Sequence, residues 1–420
     1  MKKNSDRAII RVVIATGISS VVTQLLTIRE VLTQFQGNEI VIALILFNWL
    51  CLGGLGTLLA RAITRRFWKA TALKLGWLSL VLCGLSALQI PAIRELRDVI
   101  FIHGSSVGFY PTWLFSFLII TPYCLLLGFV LPYSLFVIRT GISDYPGTRI
   151  YITDNIGDIS GGALFSFVLV YLVTPLQAIF LANLPLLAAV YLLFPVSRRH
   201  RPAVLLMMAL VVVILTGSVF REKASLAPAA GKLAYYRETR YGRIAVHQDR
   251  EQFTLFEDGI PAFSSQSLSI AEETVHYPLS QLDRIEHVLL ISAQGGVMAE
   301  LQKYQLQSID CVELDPEVSA VQFRFGLIKA VPGLNVIHQD GRAYLAQTDK
   351  TYNAIIVNLP EPGTFQMNRF YTDRFFELAQ ERLSKEGVLS FSMQGFDNYL
   401  AEPHRQKLSS LCLLYTSDAA

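Results

Sequence analysis

The stretch VLLISAQGGVMAELQKYQLQSIDCVELDP, residues 288–316, decides the fold of the C-terminal half. An apolar run ends at Ile291, the small-residue loop Ser292–Gly296 follows, and a helix is expected from Val297. A second apolar run ends at Glu313. Strand, loop, helix and strand make a βαβ unit, whose strands pair in parallel. In such a unit the loop brings backbone N–H groups up to an anionic or polar group at the helix N-terminus. An acidic side chain about 20 positions on accepts hydrogen bonds from ribose hydroxyls. Glu313 stands 21 positions after Ser292, so Ser292, Gly295, Gly296 and Glu313 are the first candidates for holding a nucleoside.

Working outward, the same half supplies more of the sheet. A first strand is expected at His287–Ile291, a third at Asn335–Ile337, a fourth at Ala354–Asn358 and a fifth at Val388–Met393. A helix over Ile270–Leu282 precedes the first strand. Before it, Gly242–Gln248 and Gln252–Glu257 alternate about Asp249–Arg250–Glu251, which reads as a β-hairpin closing on an Asp258–Gly259 turn. Residues 221–234 are small and polar and read as a linker. The last residues, 411–420 (LCLLYTSDAA), read as neither helix nor strand and are set apart as a non-native tail behind a truncated sheet.

The N-terminal half has a different solvent. The chain is 52% hydrophobic and 16% charged, against about a quarter charged in soluble proteins. Seven runs reach the roughly 20 residues that a spanning helix needs: about 10–29, 39–60, 72–91, 112–138, 155–174, 176–195 and 203–220. Backbone groups in hydrocarbon must bond internally, so each is a helix. The lipid bilayer is thus an expected partner and the inner membrane the expected location. The net charge of +3 gives no case for nucleic acid, and the five cysteines show no metal-like or disulfide spacing.

Arginine and lysine fix the orientation. Lys2, Lys3, Arg7, Arg11, Arg61, Arg65, Arg66, Lys69, Lys74, Arg139, Arg149, Arg198, Arg199 and Arg201 lie on one side, and Arg29, Arg94 and Arg97 on the other. The N-terminus is therefore expected in the cytoplasm; seven spans would put the C-terminal half outside and a count different by one would reverse this, so its side stays open. Polar residues within the spans are candidates for function. Arg29, Glu30 and Glu39 are placed at the interface. Asp154, Asn155 and Asp158 open the fifth span, with Asp154 as a helix cap, and Gly157 and Gly161 have the spacing of close helix packing.

The ordered set VLLISAQGG, VELDP, HQDGRAYL, YNAIIVNLPEP and NRFYTDRFFELAQERLSKEGVLS resembles the spermidine synthase (polyamine aminopropyltransferase) family. The N-terminal text GISSVVTQLLTIREVLTQFQGNEIVIALILFNWL resembles membrane-bound relatives of that family. The resemblance implies a multi-span helical membrane domain (1–220), a hairpin domain with its connecting helix (235–286) and an α/β methyltransferase-like, Rossmann-type domain (287–410). It implies aminopropyl transfer in polyamine biosynthesis, with decarboxylated S-adenosylmethionine or S-adenosylmethionine as the nucleoside substrate, a polyamine as acceptor and a homodimer as an assembly. Glu313 matches the ribose-binding acid, Asp340 and Gly341 the pair beside the adenine, and Tyr371 the aromatic after the catalytic loop. Asn358 stands where the family has a catalytic Asp, and Glu361 where a second Asp is usual. Ile270–Ala271, Ala262 and Gly242 replace polar groups that hold the amine, while Glu272 and His276 remain. These departures set a weakened transferase against two other readings: an inactive polyamine or nucleoside sensor, and an accessory domain on a transporter-like membrane protein.

Overall fold

The computed structural model describes residues 2–35, 37–102, 107–142, 144–194, 201–227, 231–265, 268–293, 296–393 and 401–416. The chain divides into two compact units. One comprises residues 1–229, 236–243 and 258–260, the other 230–235, 244–257 and 261–420.

The first unit is helical: α1 (Lys2–Gln34), α2 (Glu39–Arg66), α3 (Ala72–Ile100), α4 (Phe109–Arg139), α5 (Gly147–Leu164), α6 (Pro175–Leu193) and α7 (Arg201–Arg221). Among the described residues seven helices are long and apolar enough to cross a membrane, as the hydropathy pattern predicts. The fifth runs on through a π-helical turn, Phe165–Leu169, before Thr174 starts α6 with a capping box.

Glycines set how closely these helices approach. A Cβ on Gly157 would stand 2.3 Å from the Ile14 carbonyl oxygen, and one on Gly161 2.7 Å from that of Ile18, so α1 and α5 meet backbone to backbone. Gly128 meets Gly53 in the same way, locking α4 to α2. The expected packing role of Gly157 and Gly161 is what the structure shows.

Two expectations for this half need correction. Helix α5 begins at Gly147 behind Pro146, without a side-chain cap, so Asp154 lies two turns inside the helix and caps nothing. Glu30 is not interfacial but 1% exposed. It accepts from Arg94 Nε and Nη2 at 2.9 and 2.8 Å, and from Arg243 Nη1 and Nη2 at 3.0 and 2.6 Å. Arg243 also reaches Glu238 at 2.6 Å, and Arg29 pairs with Glu238 at 2.7 Å. Charges this deep persist only when paired and hydrogen-bonded.

The described residues of the C-terminal half form nine strands: β1 (Lys232–Glu238), β2 (Arg243–Asp249), β3 (Gln252–Glu257), β4 (Ile260–Ser264), β5 (His287–Ile291), β6 (Ser308–Glu313), β7 (Leu334–His338), β8 (Tyr352–Val357) and β9 (Leu383–Phe391). The first four form a sheet in sequence order. Strands β2 and β3 make the expected hairpin, Ile244 opposite Glu257 and Asp249 opposite Gln252. Asp258 and Gly259 both have positive φ, 48° and 76°, as a tight hairpin turn requires. Strand β1 starts at Lys232, inside the stretch expected to be linker.

The second sheet is parallel, in the order β7-β6-β5-β8-β9. Helices α8 (Leu268–Leu279), α9 (Val297–Leu301), α10 (Pro316–Arg324), α11 (Gly341–Gln347), α12 (Phe365–Asn368), α13 (Asp373–Arg382) and α14 (Glu402–Thr416) complete the chain. Side chains alternate across β5. Val288 and Leu290 pack with Ala271, Val275 and Leu279 of α8, while Leu289 and Ile291 pack with Phe375 and Phe376 of α13. Both faces are covered, which is why the strands read as continuous apolar runs. Helix α14 extends to Thr416, so residues 411–416 of the segment set apart as a tail continue a helix, with Leu411 buried in the second of these cores, and residues 417–420 lie outside the described residues. The order of strands reverses at β5, which places a crevice at the carboxyl ends of β5, β6 and β8.

Candidate functional site

The crevice is built by three strand ends. Strand β5 ends at Ile291, and the next residue, Ser292, takes φ 67°, a left-handed conformation that a side chain disfavours. Its backbone N–H donates to the Val312 carbonyl at 2.9 Å, which ties the start of the loop to β6. Its hydroxyl donates to Glu313 Oε2 at 3.1 Å. The other oxygen of Glu313 accepts the Leu314 N–H at 2.9 Å. Burial pushes the Glu313 carboxyl above the ordinary glutamate value, and these hydrogen bonds only partly oppose the shift.

Asp340 follows β7. One oxygen accepts the Ala343 N–H at 2.9 Å and caps α11, and the other pairs with Arg369. The Asp340 cap and the site are compatible roles: the cap fixes the carboxylate at the mouth of the crevice. Gly341 is required there for space, because a Cβ would stand 2.8 Å from Ile291 Cγ2 and 3.3 Å from the Phe370 ring. Ser292, Glu313, Asp340 and Gly341 line one cavity together with Ile291, Leu314 and Arg369. It encloses about 50 Å³, room for about one water molecule. Val312, Gln339, Leu359, Gln366, Met367 and Phe370 complete the wall, and the space they leave is too small for a nucleoside without rearrangement.

Asn358 follows β8. Its N–H bonds the Ile291 carbonyl at 3.0 Å, and its side-chain amide donates to the Ser292 carbonyl at 3.2 Å. The amide therefore braces the nucleoside loop. Glu361 lies three residues on and pairs with Lys407 at 2.5 Å. Tyr371 is buried, its ring edge-on to Phe391 at 5.5 Å and its hydroxyl 3.4 Å from the Pro360 carbonyl. Burial, with the Glu361 charge adding to it, lifts the Tyr371 phenol to about 12. Tyr371 supports the 358–361 loop from behind and does not line the cavity.

Gly296 caps α9 with φ 75°. Gly295 lies outside the described residues. His276 is bound to Glu300 at 2.9 Å and Tyr304 at 2.7 Å, which joins α8 to the α9 region. Arg369 is the site residue that sequence reasoning missed. It stands two positions before Tyr371, in a motif already recognised, but its partner is 29 residues away and only the fold joins them.

Residues 268–413 match the model of the spermine/spermidine synthase domain. The polyamine aminopropyltransferase of Oceanobacillus iheyensis is 28% identical over 259 residues, covering 57% of this chain and 51% of that protein. That of Korarchaeum cryptofilum is 30% identical over 168 residues, covering 37% of this chain and 51% of its own. The chain spans about half the length of these curated relatives. Crystal structures of a spermidine synthase in complex with the transition-state analogue AdoDATO and of the Thermotoga maritima spermidine synthase align with TM-scores of 0.35 and 0.33. Their identities are 19% and 18%, covering 38% of this chain and 59% and 55% of theirs.

Proposed function

We propose that the chain is a membrane-embedded transferase of the spermidine synthase type, which moves an aminopropyl group from decarboxylated S-adenosylmethionine to an amine. The observation that carries this reading is the convergence of Ser292, Glu313, Asp340 and Gly341 on one crevice at the carboxyl ends of a parallel sheet. Glu313 offers a buried carboxylate to ribose hydroxyls, which would displace the Ser292 hydroxyl from it. Asp340 offers an acceptor to an exocyclic amine once Arg369 swings away. Adjacent acids of this kind suit a nucleoside that also carries positive charge.

In the reaction the amine nitrogen attacks the propyl carbon bonded to the sulfonium. A C–N bond forms as the C–S bond breaks, the electron pair returns to sulfur, and 5′-methylthioadenosine leaves. The new ammonium must lose a proton. Asn358 orients a donor or acceptor but cannot take that proton, because an amide is not a base near neutral pH. Glu361 is the carboxylate on the same loop that can, once released from Lys407. This substitution makes the site a slow one. It also favours a second reading, a domain that binds the nucleoside and transfers nothing.

The test is incubation of the full-length protein in detergent with decarboxylated S-adenosylmethionine and a panel of diamines, with products read by mass spectrometry. Formation of 5′-methylthioadenosine together with an aminopropylated amine is expected. Retained binding of 5′-methylthioadenosine with neither product formed sinks the transferase and leaves the binding domain.

A further inference from the structure

Within the helical unit, a second cavity of about 330 Å³ lies among α1, α2, α4 and α5. The glycine contacts create it. Gly17 lets α5 come so close that a Cβ there would stand 3.0 Å from Asp158 Oδ1, so the Asp158 carboxylate lies directly over α1. Asp154 and Asp158 are one helical turn apart and both line the cavity. Opposite them, α1 contributes Thr16, Ser20 and Gln24, and α2 contributes Trp49. The Thr16 hydroxyl is an independent sign of a ligand. Thr16 is 4% exposed, it lines the cavity, and its oxygen has no hydrogen-bond partner. A buried hydroxyl without a partner is disfavoured, and a hydrogen-bonding group in the cavity would relieve it.

We infer that this cavity binds a protonated alkyl amine. Two carboxylates at membrane depth call for a cation. The volume is far larger than a bare ion requires, and among the described residues no group of three or more Asp, Glu, His or Cys is placed to hold a metal. A metal such as calcium would need about six to eight oxygen ligands. The apolar walls, Val13, Leu127 and Leu131 among them, suit methylene groups instead. Trp49 also lines the cavity, and an indole ring can attract an ammonium. Thr16 and Ser20 supply oxygens for its N–H groups. This site stands on its own geometry and does not rest on the transferase reading. The two join in one respect: an amine held here has the chemistry of the acceptor proposed for the crevice.

The experiment is calorimetric titration of 1,4-diaminobutane into the full-length protein in nanodiscs of phosphatidylcholine, a lipid without a primary amine. Saturable binding is expected, weakened roughly tenfold or more in Asp154→Asn and in Asp158→Asn by loss of a desolvated charge contact. Gly54→Leu is a second probe. Gly54 lines the cavity and a Cβ there meets nothing within 4 Å, so a leucine displaces no neighbour and is expected to narrow the cavity and weaken binding without touching either carboxylate. Glu95→Gln, at an exposed ion pair outside both the cavity and the crevice, leaves the diamine affinity unchanged. Loss of diamine binding in nanodiscs containing phosphatidylethanolamine supports an amine site filled by the lipid headgroup. No saturable binding by the wild type, wild-type affinity in both Asp→Asn variants, or displacement by an equal concentration of sodium chloride overturns the inference.

Discussion

The Ser292 hydroxyl donates to the Glu313 carboxylate across 3.1 Å, and Ser292 holds φ 67° to do so. Two effects of opposite sign meet in this residue. The hydrogen bond to a buried carboxylate stabilises by about 1.5–3 kcal/mol, and the left-handed backbone costs about 1–3 kcal/mol for a side chain. Ser292→Ala removes the bond and keeps the strain, so it is expected to destabilise by about 1.5 kcal/mol. Ser292→Gly removes both and is expected to be more stable than the Ala variant by about 1 kcal/mol. Denaturant unfolding of the three full-length proteins measures the order. Equal stability of the Ala and Gly variants would show that the loop carries no strain.

The raised pKa of Glu313 gives nucleoside binding a pH dependence of known sign. Burial is the main cause, and it disfavours the ionised form in the unliganded fold. Ribose hydroxyls donate to the ionised carboxylate, so binding draws the pKa back down and releases a proton. Affinity for 5′-methylthioadenosine is thus full above the raised pKa and declines as pH falls through it. Between about pH 8 and about pH 5 the dissociation constant is expected to rise in the wild type and to stay flat in Glu313→Gln, which binds about tenfold more weakly throughout. A parallel decline in both proteins would assign the titration to another group.

What could be read in the sequence followed from local periodicity. The seven long apolar helices, the β2–β3 hairpin, the Asp258–Gly259 turn that leads from β3 to β4, and the strand ends at Ile291 and Glu313 are each fixed by neighbouring residues. What could not be read depends on distant partners. Strand β1 has the composition of a linker on either side of Tyr235–Tyr236, and only pairing with β2 makes it a strand. Helix α5 starts behind Pro146 without a side-chain cap, so nothing at Gly147 announces it. Arg369 is a site residue only because α12 returns it to Asp340. Glu30 looked interfacial because Arg94 and Arg243 are 64 and 213 residues away.

Glu30 anchors a buried ionic network, and its loss should be felt through the guanidinium groups it leaves behind. Glu30→Gln keeps the shape and removes the charge shared by Arg94 and Arg243. Breaking a buried pair from one side costs about 3–5 kcal/mol. A fall of several degrees in the thermal unfolding midpoint in detergent is expected. The exposed pair Arg221–Glu95 provides the contrast: Glu95→Gln is expected to change stability by less than about 0.5 kcal/mol. A Glu30→Gln protein as stable as Glu95→Gln would mean that water or lipid headgroups reach the network.

Asn358 is the substitution that limits the proposed chemistry, and reversing it is informative. Asn358→Asp places a carboxylate where the side chain now donates to the Ser292 carbonyl at 3.2 Å. The bond is lost and the two oxygens repel, so a stability cost of about 1–2 kcal/mol is expected. In return the loop gains a base beside the reacting nitrogen, a change that typically contributes about 100-fold or more in rate. Product formation from decarboxylated S-adenosylmethionine and 1,4-diaminobutane is the measurement. A folded Asn358→Asp protein with no gain in product removes deprotonation as the limiting step.

The side of the membrane on which the crevice lies decides whether it meets its substrate. If all seven long apolar helices cross the membrane, the two ends of the helical unit lie on opposite sides. The Lys and Arg distribution draws the N-terminus into the cytoplasm, and the C-terminal half would then lie outside. Sulfonium nucleosides are made in the cytoplasm, so the proposed transferase requires the reverse. The transferase reading therefore predicts that reporters fused after Lys232, at the start of β1, are active when they work only in the cytoplasm and silent when they work only outside. That result would mean that the number of crossing helices differs from seven by one, with the charge bias of the loops kept. The opposite pattern would uphold the charge count, deprive the crevice of a sulfonium donor and sink aminopropyl transfer, while the amine cavity between α1 and α5 would remain to be tested on its own terms.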